Sequence, residues 1–358
     1  MRVAVLGAGN GGVASAFDFA QHGHDVALFA APEFGENVVA VNRAGGITSS
    51  GELEGFAPVR YAGHDAAEAM AGAELVLLVG PAYSTEPLAS VAGPHLIDGI
   101  AVLICPGSCA GAITFKRTVG LELDDPRYVV GETSTLPYAV RVTEPGVINV
   151  FHKLTSDVFV AGVPRVGTDR LHALVRDVWP AVELAESVFQ TTLQNGNPVI
   201  HPAVTLLNAG LLERTGGRFL FYEEGVTESV GRLIEAVDLE RIAIAVKLGL
   251  TILSEPAIGV RQGYMREQNY STGYSTAPGF QGIGAQASLD HRYLTEDVGY
   301  SLVFLSDLAT RLGVPTPVID AVIAIASVVL GRDFTAEGKR TMSTLGLDGM
   351  SPEQLAAL

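Results

Sequence analysis

The sequence predicts an α/β, doubly wound N-terminal domain followed by an all-α C-terminal domain. Three observations carry that expectation. Over the first half, short β-branched apolar runs without polar alternation are separated by helical patterns, as expected of parallel strands covered on both faces by crossover helices. A glycine turn at Gly7, Gly9 and Gly12 joins the first such run to the first helical stretch. After about Phe189 strand signals stop and helical periodicity takes over, so the boundary is expected near residue 187, with domains at 1–187 and 188–358.

The elements follow in order. Residues 3–6 read as a buried strand, and Val13, Ala14, Ala16, Phe17 and Ala20 as the helix after the turn. Gly7, Gly9 and Gly12 fit G-x-G-x-x-G in the setting that a Rossmann-type NAD(P)-binding domain requires, strand before and helix after. Gly7 permits the tight turn, Gly9 lets the backbone approach a pyrophosphate, and Gly12 lets helix and strand pack closely. The helix N-terminus offers free N–H groups to the phosphates. Gly7, Ala8, Gly9, Asn10, Gly11 and Gly12 are therefore expected to hold the cofactor. Residues 25–29 are a second strand, 47–49 and 58–61 short strands around a glycine-rich turn, and 65–71 a helix. Strands follow at 75–79 and 100–104. Ligands of such sheets lie beyond the carboxyl ends of the strands, which adds Pro81 to the cofactor set. Further strands are expected at 129–130, 147–150 and 158–161, and a helix at 168–178. The stretch 131–138, polar at its start, reads as a loop that includes Ser134 and faces the ligand. Helices are expected at 198–212, 227–248, 296–312 and 318–330, with a long Gly/Tyr/Ser/Thr-rich loop at 264–284.

Composition narrows the function. Of 358 residues, 48% are apolar and the net charge is −16. Such acidity opposes nucleic acid and anionic membrane surfaces. The low charge content and apolar helical half predict a homodimer. The two cysteines, Cys105 and Cys109, form no disulfide framework and lack metal-site spacing, which points to a reducing cytoplasm and no metal. The chain opens directly on a strand, so no signal peptide is expected. The apolar run 318–330 is too short to span a bilayer.

Two constellations could carry chemistry. In the first, Asn197 is an N-cap, Pro198 opens a helix and Pro202 still lies in its first turn. Asn197, His201, Thr205 and Asn208 then share one face. The alternative is a capping Asn and a satisfied buried His. In the second, Thr295 is an N-cap with Glu296 and Asp297 in the first turn, where carboxylates favour the helix dipole whatever their function. An Asp297 beside His201 would fix the imidazole tautomer and raise its pKa, making a proton donor and acceptor near neutrality. Arg292 either holds a substrate carboxylate or makes a surface salt bridge. At the end of the second strand, where an acidic residue about 20 positions past the glycines takes the ribose hydroxyls, stands Ala30. Glu33 either reaches the ribose or opens the next helix. The cofactor is thus open between NAD and NADP, and the missing carboxylate favours tolerance of NADP.

On these residues the chain resembles the opine dehydrogenase family (octopine, nopaline and N-carboxyethyl amino acid dehydrogenases), nearly end to end. The resemblance rests on Gly7 to Gly12, Gly131-Glu132-Thr133-Ser134, Asn195-Gly196-Asn197 with His201-Pro202, Thr205 to Ala209, Glu240-Arg241-Ile242-Ala243, Arg292 with Glu296-Asp297-Val298, and Val314-Pro315-Thr316-Pro317. It looks most like the bacterial N-(1-carboxyethyl) amino acid dehydrogenases. It implies substrates in a cleft between the two domains, and reductive condensation of a 2-oxo acid such as pyruvate with an amino acid or amine. His201 and Asp297 would do the proton work. Arg292 would contact substrate, with Asn197, Thr205 and Ser134 as further substrate contacts. Ala30 departs from the acidic residue common in relatives.

The rival of the same architecture, a ketopantoate-type reductase making a 2-hydroxy acid, uses a lysine near the second-domain entrance. None of Lys116, Lys153, Lys247 and Lys339 stands in 191–208. A non-catalytic cofactor-binding protein is the other alternative, which an intact His201, Arg292 and Asp297 set opposes.

Overall fold

The computed structural model describes residues 1–358 as two compact units, residues 1–191 with Leu358, and residues 192–357. The first unit holds twelve strands: β1 (Arg2–Leu6), β2 (Asp25–Phe29), β3 (Gly46–Gly51), β4 (Gly55–Pro58), β5 (Tyr61–Gly63), β6 (Leu75–Leu78), β7 (Ala101–Ile104), β8 (Val129–Thr133), β9 (Tyr138–Glu144), β10 (Val147–Lys153), β11 (Val158–Val163) and β12 (Val182–Leu184). The main sheet runs β12-β11-β8-β7-β6-β1-β2-β5. From β5 to β8 all pairs are parallel; only β8 and β11 are antiparallel. The unbroken apolar runs of β6 and β7 are buried at every position, as expected of strands covered on both faces. The order reverses between β1 and β6, the switch point where doubly wound sheets bind ligands. Leu6 pairs with both Phe29 and Leu78, so the glycine turn after β1 opens at that point.

A second sheet, β4-β3-β10-β9, corrects two expectations. The run 58–61 is no single strand: it divides between β4 and β5, which belong to different sheets. Strand β9 alternates Tyr138, Val140 and Val142 with Arg141, Thr143 and Glu144 and pairs antiparallel with β10. The expected loop 131–138 begins inside β8, with Glu132, Thr133 and Ser134 buried. Partners sustain that burial: the Glu132 carboxylate accepts from Ala112 N and Thr191 Oγ1, each at 2.8 Å. The helix Asn10–Gln21 is tied to β9 and β10 through buried Asp18, which accepts from Tyr138 Oη and pairs with Lys153 Nζ, both at 2.7 Å.

The second unit is helical. The expected helix 198–212 is two helices, Asn197–Leu207 and Ala209–Thr215. Asn208 ends the first, and its Nδ2 donates to the carbonyls of Val204 and Gly225. Gly196, not Asn197, is the N-cap, and Pro202 lies inside the helix. Pro202 is one turn too late for its missing N–H to be free of cost. The long helix Glu228–Lys247 carries buried Arg241. Its guanidinium reaches Asp238 Oδ1 and the carbonyls of Leu193 and Leu253. Gln194 pairs with both backbone groups of Leu253. These bonds fix the turn that starts the His201 helix. Glu240 accepts from Val318 N and Ile319 N at 2.8 Å each, capping the helix Pro317–Leu330.

The expected helix 296–312 begins earlier. His291 caps a turn at Arg292–Thr295, a π-helical segment follows at Asp297–Leu302, and α-helix resumes at Val303–Leu312. Thr295 is therefore the last residue of a turn and not an N-cap. The segment 264–284 contains a helical turn, Thr272–Ser275, and a 3-10 turn, Pro278–Phe280. No helix is long and apolar enough to cross a membrane.

Candidate active site

His201 sits in the second turn of Asn197–Leu207, and the π-helical segment opens with Asp297. A π-turn re-aims side chains within a helix and recurs at functional sites. Here His201 Nδ1 lies 2.8 Å from Asp297 Oδ2, with both side chains almost dry at 6% and 2% exposure. The carboxylate assigns the proton to Nδ1 and leaves Nε2 as the second working atom. Nε2 meets the phenol of Tyr222 at 3.1 Å. Tyr293 stacks on the imidazole at 3.9 Å and 22°, and Phe221 meets it edge-on.

Charge surrounds this pair asymmetrically. Burial pushes the Asp297 carboxyl up to about 7, against the neighbouring Arg292 guanidinium, which lowers it. Arg292 Nη1 donates to Glu296 Oε2 at 3.0 Å; Glu296 is buried while the arginine side chain is 41% exposed. The guanidinium is thus anchored by Glu296 while its side chain keeps partial exposure. Burial also pushes the Tyr222 phenol well above its usual value, so it stays neutral.

Thr205 Oγ1 accepts from Gln286 Nε2 at 3.1 Å, and Gln286 Oε1 is buried without a partner. Asn197 is half-buried at the helix start. Asn208 is occupied by backbone carbonyls and carries structure instead of chemistry. Ser134, in the first unit, accepts from Phe159 N at 3.1 Å and is buried. Sequence reasoning passed over Tyr222, Tyr293 and Gln286. Tyr222 and Gln286 lie in segments with no helical register or motif to single them out; Tyr293 lies beside Arg292 in a stretch read for its charged residues alone, and only folding brings these side chains to His201 and Thr205.

The glycine turn forms a cradle in the first unit. Gly7 has φ +108°, and a Cβ there would stand 2.1 Å from Val79 O. A Cβ on Gly12 would stand 1.7 Å from Gly7 O, whereas nothing lies within 4 Å of one on Gly9. No side chain caps the helix that starts at Asn10, so its first N–H groups face an open approach over Gly9. These residues fit a dinucleotide pyrophosphate. Around them, Ala8 O accepts from Asn37 Nδ2, Asn10 Oδ1 accepts from Val142 N, and Pro81 O accepts from Ser84. At Gly11 the space is already filled, since a Cβ there would stand 2.8 Å from Leu136 and 3.1 Å from Val79.

Residues 184–330 match the family model described as NAD/NADP octopine/nopaline dehydrogenase, alpha-helical domain. The chain is 34% identical over 354 residues to an opine dehydrogenase of Arthrobacter sp. (strain 1C), covering 97% of this chain and 96% of that protein. The chain belongs to the opine dehydrogenase family. It is an NAD(P)-dependent oxidoreductase of that family, with an N-terminal parallel-sheet domain and a helical domain. Two solved structures share the fold: an octopine dehydrogenase in complex with NADH and agmatine (TM-score 0.75, 19% identity, 92% of this chain and 90% of that one) and a yersinopine dehydrogenase with NADP+ bound (TM-score 0.71, 15% identity, 99% and 96%).

The chain differs from the acidic pattern at the end of β2. Ala30 is buried, and its carbonyl accepts from His64 Nδ1 at 2.7 Å. Beside it is a surface pocket of about 500 Å³ that includes Glu33, Glu36, Arg43 and His64. Glu33 lies in the 3-10 turn Pro32–Phe34 that precedes the helix Glu36–Ala44.

Proposed function

We propose that this enzyme condenses a 2-oxo acid such as pyruvate with the amino group of an amino acid or amine, and reduces the resulting imine to a secondary amine. The contact that carries the reading is the 2.8 Å approach of His201 Nδ1 to Asp297 Oδ2 in a buried site, next to a half-exposed guanidinium. When bound, the reduced nicotinamide supplies hydride; Gly7 to Gly12 would hold its pyrophosphate, with Pro81 and Ala30 at the adjoining strand ends. The remaining work falls to side chains. Arg292 neutralises the oxo-acid carboxylate. His201 carries the proton exchanged with the substrate nitrogen, and Asp297 holds the tautomer and stabilises the imidazolium. Asn197, Thr205 and Ser134 are proposed as further substrate contacts, those at Asn197 and Thr205 lying on the His201 helix.

Reduction to a 2-hydroxy acid on a lysine acid is disfavoured, because the lysines of the helical unit, Lys247 and Lys339, are exposed. We also propose that NADPH is tolerated, since no carboxylate at position 30 excludes a 2′-phosphate, and that the chain is a homodimer, since Leu239, Val246, Ile325 and Val328 stand exposed on two helices. The test is single-turnover kinetics of His201→Asn with pyruvate, a panel of amines, and NADH or NADPH. Hydride transfer should collapse in the variant, and wild-type consumption of cofactor should require the amine. Normal hydride transfer by the variant removes His201 from the reaction; cofactor oxidation with pyruvate alone favours the hydroxy-acid reading.

A further inference from the structure

We propose that Tyr222 is a further catalytic residue, whose phenol passes the proton between His201 Nε2 and the substrate nitrogen. The proposal rests on His201 as the acid. With Nδ1 committed to Asp297, Nε2 is the ring atom left for substrate. What it faces at 3.1 Å is Tyr222 Oη. For direct transfer a substrate nitrogen would have to displace that phenol, and the ring is not free to leave. Phe221 meets it edge-on at 5.0 Å and 85°, and Phe280 stacks on it at 4.3 Å and 16°. Phe280 is itself stacked on Tyr264 at 5.2 Å, and both of these rings are half-buried. The segment behind them is bound to the Tyr222 turn: Phe221 N donates to Ile283 O at 2.8 Å and Gly282 N to Glu223 Oε2 at 2.7 Å.

A phenol suits this place. It has one hydrogen and two lone pairs, so it can meet Nε2 and a substrate nitrogen together. Burial, with Tyr293, Tyr264 and Asp297 nearby and only Arg292 opposing, keeps it from ionising. In the reductive direction the hydride adds to the imine carbon and the C=N π pair goes to nitrogen. The Tyr222 O–H bond breaks as the new N–H bond forms. The phenol oxygen takes the Nε2 proton of the imidazolium, which returns to neutral imidazole. One hydride and one proton are consumed, and Tyr222 ends as it began.

The test is Tyr222→Phe, which keeps the ring stack and removes only the hydroxyl. Single-turnover hydride transfer should slow by about 10²-fold, the lower range for a positioned acid. A proton inventory in mixed light and heavy water should be curved for the parent, with two protons in flight, and linear for the variant. In the protein without cofactor, the NMR titration of the His201 ring should shift in the variant, a readout independent of turnover. A variant at parent rate, a slow variant with an unchanged inventory, or an unmoved His201 titration would each overturn the relay. If His201→Asn transfers hydride at the parent rate, the proposed function fails instead, so the two failures are told apart.

Discussion

Replacing Asp297 by Asn tests the central pair, because the side chain keeps its shape and loses its charge. The Nδ1···Oδ2 contact is 2.8 Å and both partners are dry, so solvent screens little. Charge centres about 4 Å apart at an effective dielectric near 20 attract by about 4 kcal/mol. At 1.36 kcal/mol per decade that is about 10³-fold in the population of imidazolium where Asp297 is ionised, and less as pH falls below its pKa of about 7. An amide can also present either its oxygen or its nitrogen to Nδ1, so the tautomer is held less firmly. Hydride transfer in Asp297→Asn should therefore slow by about 10²–10⁴-fold, with KM for the 2-oxo acid little changed, because Arg292 and Glu296 are untouched. The assay is stopped-flow absorbance of the reduced nicotinamide, at saturating pyruvate and amine, across pH. Circular dichroism checks the fold. A folded variant with the parent rate and the parent pH profile refutes the reasoning.

Stability reads the same carboxyl independently. Its folded pKa of about 7 lies above the ordinary value of about 3.9, so the folded chain holds this proton more tightly than the unfolded chain. That contribution is complete below pH about 4 and lost as pH rises through about 7; Asp297→Asn should gain in Tm on the parent across this window, and a constant difference would count against a raised pKa. In the glycine turn, Gly12→Ala should destabilise the first domain or prevent its folding, because its Cβ would stand 1.7 Å from Gly7 O; Gly9→Ala should fold normally and weaken dinucleotide binding by calorimetry. Glu240→Ala, which uncovers Val318 N and Ile319 N, should cost about 0.5–2 kcal/mol in denaturant unfolding and leave cofactor affinity unchanged. Arg43→Ala should raise KM for NADPH and not for NADH; equal effects would place the 2′-phosphate away from the pocket beside Ala30.

Much of this architecture could be read from local pattern. The apolar runs of β1, β2, β6 and β7 have one stable outcome, a sheet covered on both faces, and the spacing of Gly7, Gly9 and Gly12 shows where it opens. His201 and Asp297 were legible as residue types in suggestive settings. Strand β9 was not, because its Tyr138, Val140 and Val142 alternate with polar residues and follow a stretch that reads as a loop, and neither was the start of the turn that carries Arg292, because His291 is an unusual cap. Tyr222 gave no signal at all.

The parallel strands at the core of the first domain, the glycine turn and the candidate proton carriers follow from sequence alone, since each depends on neighbours within a turn or two. Tertiary structure decided which of those carriers meet. His201 and Asp297 are 96 positions apart, and their 2.8 Å contact arises from two helices packing together and a π-turn that rotates one side chain inward. Long-range packing of this kind also sets the titration of Asp297, because desolvation depends on everything that surrounds a group in space, and no local stretch of sequence specifies that.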